Sequence, residues 1–115
     1  EILKVGEWFR NSEYYPPSGQ IYYFAPSMAE AFRVDPFDPA KRGNLAALKD
    51  NPSIDDGTII VWDAHFGPNE CRLPIDSLMQ RKDLKLIHHH IPEREMKTLN
   101  DYDYEIYVFR KEELN

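Results

Sequence analysis

The stretch that decides the fold of this 115-residue chain is Asp56-Gly57-Thr58-Ile59-Ile60-Val61-Trp62-Asp63-Ala64-His65-Phe66-Gly67. Its centre is an uncharged, β-favouring run without polar alternation. Such a run predicts a strand over 58–63 that is buried on both faces, as interior strands of α/β sheets are. In open α/β sheets, ligands bind at the carboxyl ends of the strands. A ligand site in this chain is therefore expected at Asp63, where the apolar run ends.

Outward from this strand, helical and extended patterns alternate along the chain. Apolar spacing and helix-starting prolines predict helices over 2–10, from Pro26 to about Val34, over 44–48 and from Pro74, with further strands over 21–24, 84–91 and 104–109. Strands that alternate with helices pair in parallel, whereas the last two lack a helix between them and are expected to pair antiparallel at an edge. The predicted fold is a single α/β domain, 1–115, with a small, mixed, mostly parallel four-stranded sheet flanked by helices.

The same pattern predicts one hydrophobic core between the sheet and the helices. The expected sheet positions are apolar residues of the four strands: Ile21, Tyr23, Ile59, Val61, Leu86, Ile106 and Val108. The expected helix positions that cover them are Phe9, Phe32, Leu78 and Met79.

Composition excludes several classes of function. The net charge is −6, whereas proteins that bind a nucleic-acid backbone need a basic face. The basic residues Arg81, Lys82 and Lys85 are interleaved with Asp83, which is typical of a solvated helix end. Phe66-Gly67-Pro68 lacks the repeated glycines of a dinucleotide-binding loop, so no cofactor is predicted. The single cysteine allows no internal disulfide, and no apolar run is long enough to span a membrane.

Asp63 and His65 form the first candidate site. A carboxylate and an imidazole two residues apart can share a metal or orient one another for acid–base chemistry. An aspartate at a strand end also caps a turn through its own side chain, and the nearby sequence supplies no third metal ligand. We therefore interpret the pair as turn or binding-loop geometry rather than as catalytic. The binding-loop candidates are Asp63, His65, Phe66 and Asn69.

A second candidate is the run His88-His89-His90. On a strand, His88 and His90 share a face, and such a pair can bind zinc or copper if a third ligand arrives from another element. His65 is the other histidine that could take part. The alternative is that the three imidazoles simply fill half-buried positions, and we assign no metal site.

The order of these elements resembles that of a known domain. The segments that carry the resemblance are Trp8-Phe9-Arg10, the proline-rich break, Ile21-Tyr22-Tyr23-Phe24-Ala25-Pro26, Val34-Asp35-Pro36, Gly57-Thr58-Ile59-Ile60-Val61-Trp62-Asp63, Leu84-Lys85-Leu86-Ile87 and Tyr107-Val108-Phe109-Arg110. Together they resemble the soluble extracytoplasmic C-terminal domain of bacterial multi-spanning glycosyltransferases of the protein-mannosyltransferase-like kind, which use lipid-linked sugars. The resemblance covers nearly the whole chain.

The resemblance implies a non-catalytic accessory domain on the periplasmic face of a membrane. The family's catalytic aspartate lies in a loop between early membrane helices, so no catalytic residue is implied here. Its implied partners are the membrane portion of the same polypeptide and a glycan or lipid-linked sugar. Because the chain opens on Glu1 within a helical pattern, we expect a piece of a longer membrane protein. Two alternatives stay open: a free-standing small α/β enzyme or metal-binding protein that uses Asp63 and His65, and a ligand- or protein-binding module without chemistry.

Overall fold

The computed structural model describes residues 1–49, 53–68, 70–94, 97 and 104–113. In chain order, the helices and strands are α1 (Ile2–Arg10), β1 (Ile21–Tyr23), α2 (Pro26–Phe32), β2 (Arg42–Asn44), a 3₁₀ helix (Leu45–Lys49), β3 (Ile59–Asp63), α3 (Ile75–Met79), β4 (Leu84–His90) and β5 (Ile106–Lys111). The predicted helices and strands are all present, with ends displaced by a few residues.

The strands form one mixed sheet in the order β2-β1-β3-β5-β4. β1 pairs in parallel with both β2 and β3, while β5 pairs antiparallel with both β3 and β4. The predicted α/β class and the antiparallel pairing of the last two strands at an edge are confirmed. β5 enters the sheet between β3 and β4, so the last strand in sequence is not the last in space.

The sheet has five strands rather than the predicted four. The strand that the sequence pattern misses is β2, whose three residues are Arg42, Gly43 and Asn44. None of them is apolar or β-branched, so no local signal predicts an extended segment. The strand forms because tertiary folding brings this segment beside β1, where its backbone pairs from Ile21 to Tyr23.

β3 is buried along its whole length, as predicted, and its side chains pack in two separate cores on the two faces of the sheet. Ile59 and Val61 pack with α1 and α2 on one face of the sheet, whereas Ile60 and Trp62 pack with the 3₁₀ helix and α3 on the other. The expectation of a single core is therefore wrong, because alternate residues of a strand point to opposite faces and both faces are covered.

Three of the predicted core positions need correction. Leu78 packs in the second core, on the face opposite Phe9 and Phe32. Met79 is 50% exposed and Leu86 is 37% exposed, so neither belongs to a core. Leu86 lies on the edge strand beside an irregularity in the pairing of β4 with β5, and no further strand covers it on its outer side within the described sheet.

Candidate functional site

The topology defines where a ligand crevice is expected. From β1 the chain passes through α2, which packs on the first core, to β2, and then through the 3₁₀ helix, which packs on the second core, to β3. The two connections thus leave the sheet on opposite faces, and β1 and β3 are parallel neighbours. In open α/β sheets the crevice outside the carboxyl ends of two such strands is the usual ligand site. Here it would lie between Phe24 and Asp63.

Asp63 is the last residue of β3, as predicted, but its carboxylate is used within the turn that follows. The residue is only 3% exposed. Its Oδ1 accepts a hydrogen bond from the Phe66 backbone N–H at 2.6 Å, and its carbonyl oxygen accepts one from the Gly67 N–H at 2.9 Å. Burial raises the pKa of the Asp63 carboxyl, although the Phe66 N–H and the nearby His65 act in the opposite direction. The side chain therefore closes the turn after β3.

Two aromatic rings occupy the position between the strand ends. The Phe24 ring, just after β1, lies 5.2 Å from the Phe66 ring, centroid to centroid. His65 stands edge-on to Phe66 at 4.5 Å. The structure thus brings three of the binding-loop candidates together, but packs Phe66 against Phe24 across the crevice. The fourth candidate, Asn69, lies outside the described residues.

The rest of this loop is attached to the second core by hydrogen bonds that involve Trp62 and Leu73. The Trp62 indole N–H donates to the Leu73 carbonyl at 2.7 Å, and the Leu73 N–H donates to the Gly67 carbonyl at 2.8 Å. A Cβ on Gly67 would collide with the Trp62 indole and would lie 2.6 Å from the Asp63 carbonyl oxygen. Only glycine allows the loop to come this close to β3, so Gly67 fixes the path of the loop beside the carboxyl end of the strand.

The histidines of β4 are each engaged with a different neighbour. His88 stacks on Trp8 at 4.1 Å, and His89 stacks on Tyr107 at 4.1 Å while its Nε2 lies 3.1 Å from a Glu105 carboxylate oxygen. His90 Nε2 lies 2.7 Å from a carboxylate oxygen of Glu1.

These contacts bear on the proposed metal pair. His88 and His90 do share a face, with ring centroids 6.4 Å apart. Burial, followed by the neighbouring His90 and His89, lowers the pKa of His88. Within the described residues, no group of three or more histidine, cysteine, aspartate or glutamate side chains is arranged to hold a metal ion. The weak metal candidates His65, His88 and His90 are thus not brought together into a coordination site there.

An open surface lies at the opposite end of the sheet, away from Asp63. A cleft of about 420 Å³, called here the amino-end cleft, lies between the loop that precedes β1 and the ends of β3, β4 and β5. Its lining residues are Glu13, Tyr14, Pro16, Pro17, Ser18, Gly57, Ile59, Lys85, Arg110 and Glu112. A second cleft of about 360 Å³ shares Pro16 and Pro17 with it and extends toward α2.

Lys85 and Arg110 are the cationic residues of the amino-end cleft. They are direct partners in the antiparallel register of β4 and β5. The Arg110 guanidinium lies 3.3 Å from Glu112, whereas Lys85 makes no ion pair with any residue that the structure describes. Lys85 is the second residue of β4 and is exposed, so it lies in the strand predicted over 84–91 and not at the solvated helix end expected for the basic cluster. Only knowledge of the strand register could have joined it to Arg110.

Comparisons with known proteins identify no relative of this chain: no family model matches it, and no curated protein or solved structure is significantly similar to it. Among the helices in the described part of the chain, none is long and apolar enough to cross a membrane.

Proposed function

We propose that this chain is a non-catalytic, extracytoplasmic accessory domain of a membrane glycosyltransferase that uses lipid-linked sugars. In this proposal the domain covers the membrane-facing active site on the periplasmic side and helps to position the acceptor or a partner. The membrane portion of the same polypeptide is its principal partner. The order of sequence segments that resembles such domains supports the class, and the geometry of the strand ends supports the absence of chemistry.

The observation that supports the non-catalytic assignment is the burial of Asp63 and its hydrogen bond within the turn after β3. A catalytic carboxylate has to reach a substrate atom, within hydrogen-bond distance or through one water. Asp63 is only 3% exposed, and its Oδ1 accepts a hydrogen bond from the Phe66 N–H. The Phe66 ring, in the same turn, packs against Phe24 at the end of the neighbouring strand. A residue so enclosed stabilises a turn, and the chemistry of the proposed parent enzyme belongs to its membrane portion.

The amino-end cleft favours a second candidate, a ligand-binding module without chemistry. Sites for small molecules are concave, have volumes of about 300–1,000 Å³, and combine apolar walls with a few polar groups. The cleft fits that description in its volume of about 420 Å³, although its lining is more polar than apolar. The two candidates are compatible, since an accessory domain can position an acceptor by binding it.

The test of the accessory assignment uses the full-length protein that contains this chain. We expect the coding sequence before Glu1 to encode several membrane helices. In proteoliposomes supplied with a lipid-linked sugar, deletion of residues 1–115 should abolish transfer, whereas Asp63→Asn should reduce it only mildly. A matched control is Asp76→Asn, because Asp76 lies on α3, away from the turn that Asp63 closes.

Two outcomes would contradict the proposal. One is a parent reading frame without membrane helices. The other is loss of turnover in Asp63→Asn with normal expression, folding and membrane insertion, which would make Asp63 a catalytic or acceptor-binding residue.

A further inference from the structure

We infer that this chain associates with a second copy of itself, and that the Phe37 ring of each copy inserts into a cleft of the other. The cleft is the one of about 360 Å³ that extends toward α2, called here the α2-side cleft. The segment that carries the ring is the loop over 35–41, called here the Phe37 loop. The inference goes beyond the accessory role and does not depend on it, because it rests on this loop and this cleft alone.

Phe37 is almost entirely in solvent. Its side chain is 91% exposed, more than any other large apolar side chain in the described part of the chain. An aromatic side chain that becomes buried removes about 150–250 Å² from water. Single exposed apolar residues are common on protein surfaces, so the exposure alone does not mark a contact. Two further features distinguish Phe37, namely the way its loop is held and the cleft that lies beside it.

Hydrogen bonds hold the Phe37 loop in one conformation. Asp35 Oδ1 accepts a hydrogen bond from the Phe37 N–H at 2.9 Å, and the Asp35 carbonyl oxygen accepts one from the Asp38 N–H at 3.2 Å. Gln20 Nε2 donates to the Pro39 carbonyl oxygen at 2.6 Å, which joins the loop to the residue before β1. The backbone of Phe37 is therefore in place before any partner arrives. Such preorganisation lowers the entropic cost of using the ring as an anchor.

The α2-side cleft lies directly beside this loop, since Asp35 and Asp38 line it while Phe37 does not. Unlike the amino-end cleft, it exposes more apolar than polar surface. Its apolar lining residues are Tyr15, Pro16, Pro17, Ile21, Phe32 and Val34. Its volume is near the lower limit of the range of about 300–1,000 Å³ that is typical of small-molecule sites. It therefore suits one aromatic side chain better than a long peptide.

The charges around the α2-side cleft favour a second copy as the occupant. Two cations, Arg33 and Lys41, line it, and so do two carboxylates. These carboxylates are Asp35 and Asp38, and none of the four side chains forms an ion pair within the described residues. A two-fold interface uses the same patch on both copies, so the patch must be complementary to itself. Equal numbers of both charges meet that condition, whereas a partner of one charge sign would be repelled by half of the lining.

The expected association is weak. Two inserted aromatic side chains bury a few times the roughly 150–250 Å² of one ring once their surroundings are counted. Stable interfaces bury about 1,200–2,000 Å². We therefore expect a dissociation constant of about 0.1–1 mM for the dimer.

The first test is sedimentation equilibrium of the 115-residue chain from about 20 μM to about 1 mM. We expect a reversible monomer–dimer equilibrium. Phe37→Ser should weaken it about tenfold or more, because the substitution removes a buried ring from both halves of the interface. Ile91→Ser is the matched control, since Ile91 is a 63% exposed apolar residue that does not line the cleft, and it should leave the dissociation constant unchanged.

A second pair of variants tests the charges of the cleft. Lys41→Glu places a carboxylate opposite those of the other copy and should weaken the dimer about fivefold. Lys49→Glu makes the same change of charge at an exposed residue that does not line the α2-side cleft, so it should have no such effect. Thermal melts verify that each variant is folded, which is expected because all of the substituted side chains are exposed.

Photochemical cross-linking locates the contact. A benzoylphenylalanine in place of Phe37 is irradiated in a mixture of isotopically labelled and unlabelled copies, so that mass spectrometry separates links between copies from links within one. We expect links between copies that fall on the apolar lining of the α2-side cleft, such as Pro17 and Val34.

Three outcomes would overturn the inference. A chain that stays monomeric up to about 1 mM would leave the Phe37 loop to a different protein or to a membrane surface. Equal weakening by Phe37→Ser and Ile91→Ser would show unspecific apolar association. Cross-links between copies that fall only outside the α2-side cleft would place the contact elsewhere. None of these outcomes bears on the accessory role, whose test depends on the membrane portion and on sugar transfer.

Discussion

The two ends of the sheet differ in what their polar groups do. At the carboxyl end, Asp63 is buried and hydrogen-bonded within its own turn, and the Phe24 and Phe66 rings that follow β1 and β3 pack against each other. At the amino end, Lys85 and Arg110 face each other across a cleft of about 420 Å³. The strand-end aspartate therefore stabilises a turn here, while an open cleft lies at the other end of the sheet.

The position of Asp63 at the carboxyl end of a central strand thus does not by itself make it a ligand-binding residue. The strand-end rule places ligands at the carboxyl edge because loops usually leave a crevice there. In this protein the loop after β3 is tied to the strand by the hydrogen bond from Trp62 to Leu73, and its Phe66 ring packs against Phe24. Substitutions that break the packing or the turn at the carboxyl end should therefore lower stability, whereas replacing the exposed Lys85 side chain at the amino end should leave it nearly unchanged.

The largest effect is expected from Val61→Asp, at the centre of the strand that joins both ends. Val61 is fully buried and pairs with Val108 of β5. An unpaired carboxylate there should cost about 4 kcal/mol or more and leave little folded protein. Circular dichroism and urea denaturation measure the loss, with Lys82→Asp as the exposed control. A soluble variant with the wild-type melting temperature would show that β3 is not an interior strand.

A smaller loss is expected from Gly67→Ala at the carboxyl end. The new methyl group would press on the Trp62 indole and the Asp63 carbonyl oxygen, and overpacking of this kind costs about 1–3 kcal/mol. Chemical denaturation gives the stability, and tryptophan fluorescence reports displacement of the indole. The companion variant Gly57→Ala, at the amino end, forces a side chain into a positive φ and should cost about 1–2 kcal/mol without moving Trp62. Unchanged stability and fluorescence in Gly67→Ala would mean that the loop does not pack on β3.

The role of Asp63 can be separated into hydrogen bonding and charge. Asp63→Ala leaves the Phe66 N–H without its acceptor and should cost about 1–3 kcal/mol. Asp63→Asn keeps an oxygen in that position and should leave the fold nearly as stable as wild type. Urea midpoints of the two variants test this difference, and equal losses would show that the hydrogen bond contributes nothing.

The charge of Asp63 predicts a pH dependence of definite sign. Because burial raises the pKa of this carboxyl above its ordinary value of 3.8, the folded state binds the proton more tightly than the unfolded state does. The stability that Asp63 contributes is therefore greatest below that value and decreases as pH rises through the folded-state pKa. Asp63→Asn should abolish this decrease, so its stability relative to wild type should grow with pH above 3.8. A difference that shrinks with rising pH would contradict the assignment.

The smallest effect on stability is expected in the amino-end cleft. Lys85→Gln removes one of two opposed cations from an exposed position, so stability should change by less than about 0.5 kcal/mol and in the stabilising direction. Added salt should erase the gain, because it screens the repulsion in the wild-type protein. Urea midpoints at low and high salt provide the measurement. A loss comparable to that of Asp63→Ala would mean that Lys85 is structural and that the two ends do not differ as described.

Much of the fold follows from local sequence patterns. The uncharged run before Asp63 predicted the interior strand, and the prolines at 26 and 74 predicted where helices begin. These predictions succeed because strand and helix periodicity, and the missing N–H of proline, act within a few residues of each other. Asp63 at the end of β3 was predicted for the same reason.

The tertiary structure alone decided the rest. The sequence of β2 has no pattern that predicts a strand, and the strand forms because its backbone pairs in parallel with β1. The division of β3 between two cores, and the exposure of Leu86 and Met79, depend on which helices cover which face. The meeting of Lys85 with Arg110 depends on the register of two strands joined by a long connection. Such contacts join residues distant in sequence, so their physical cause is the packing of the whole chain, which no local pattern records.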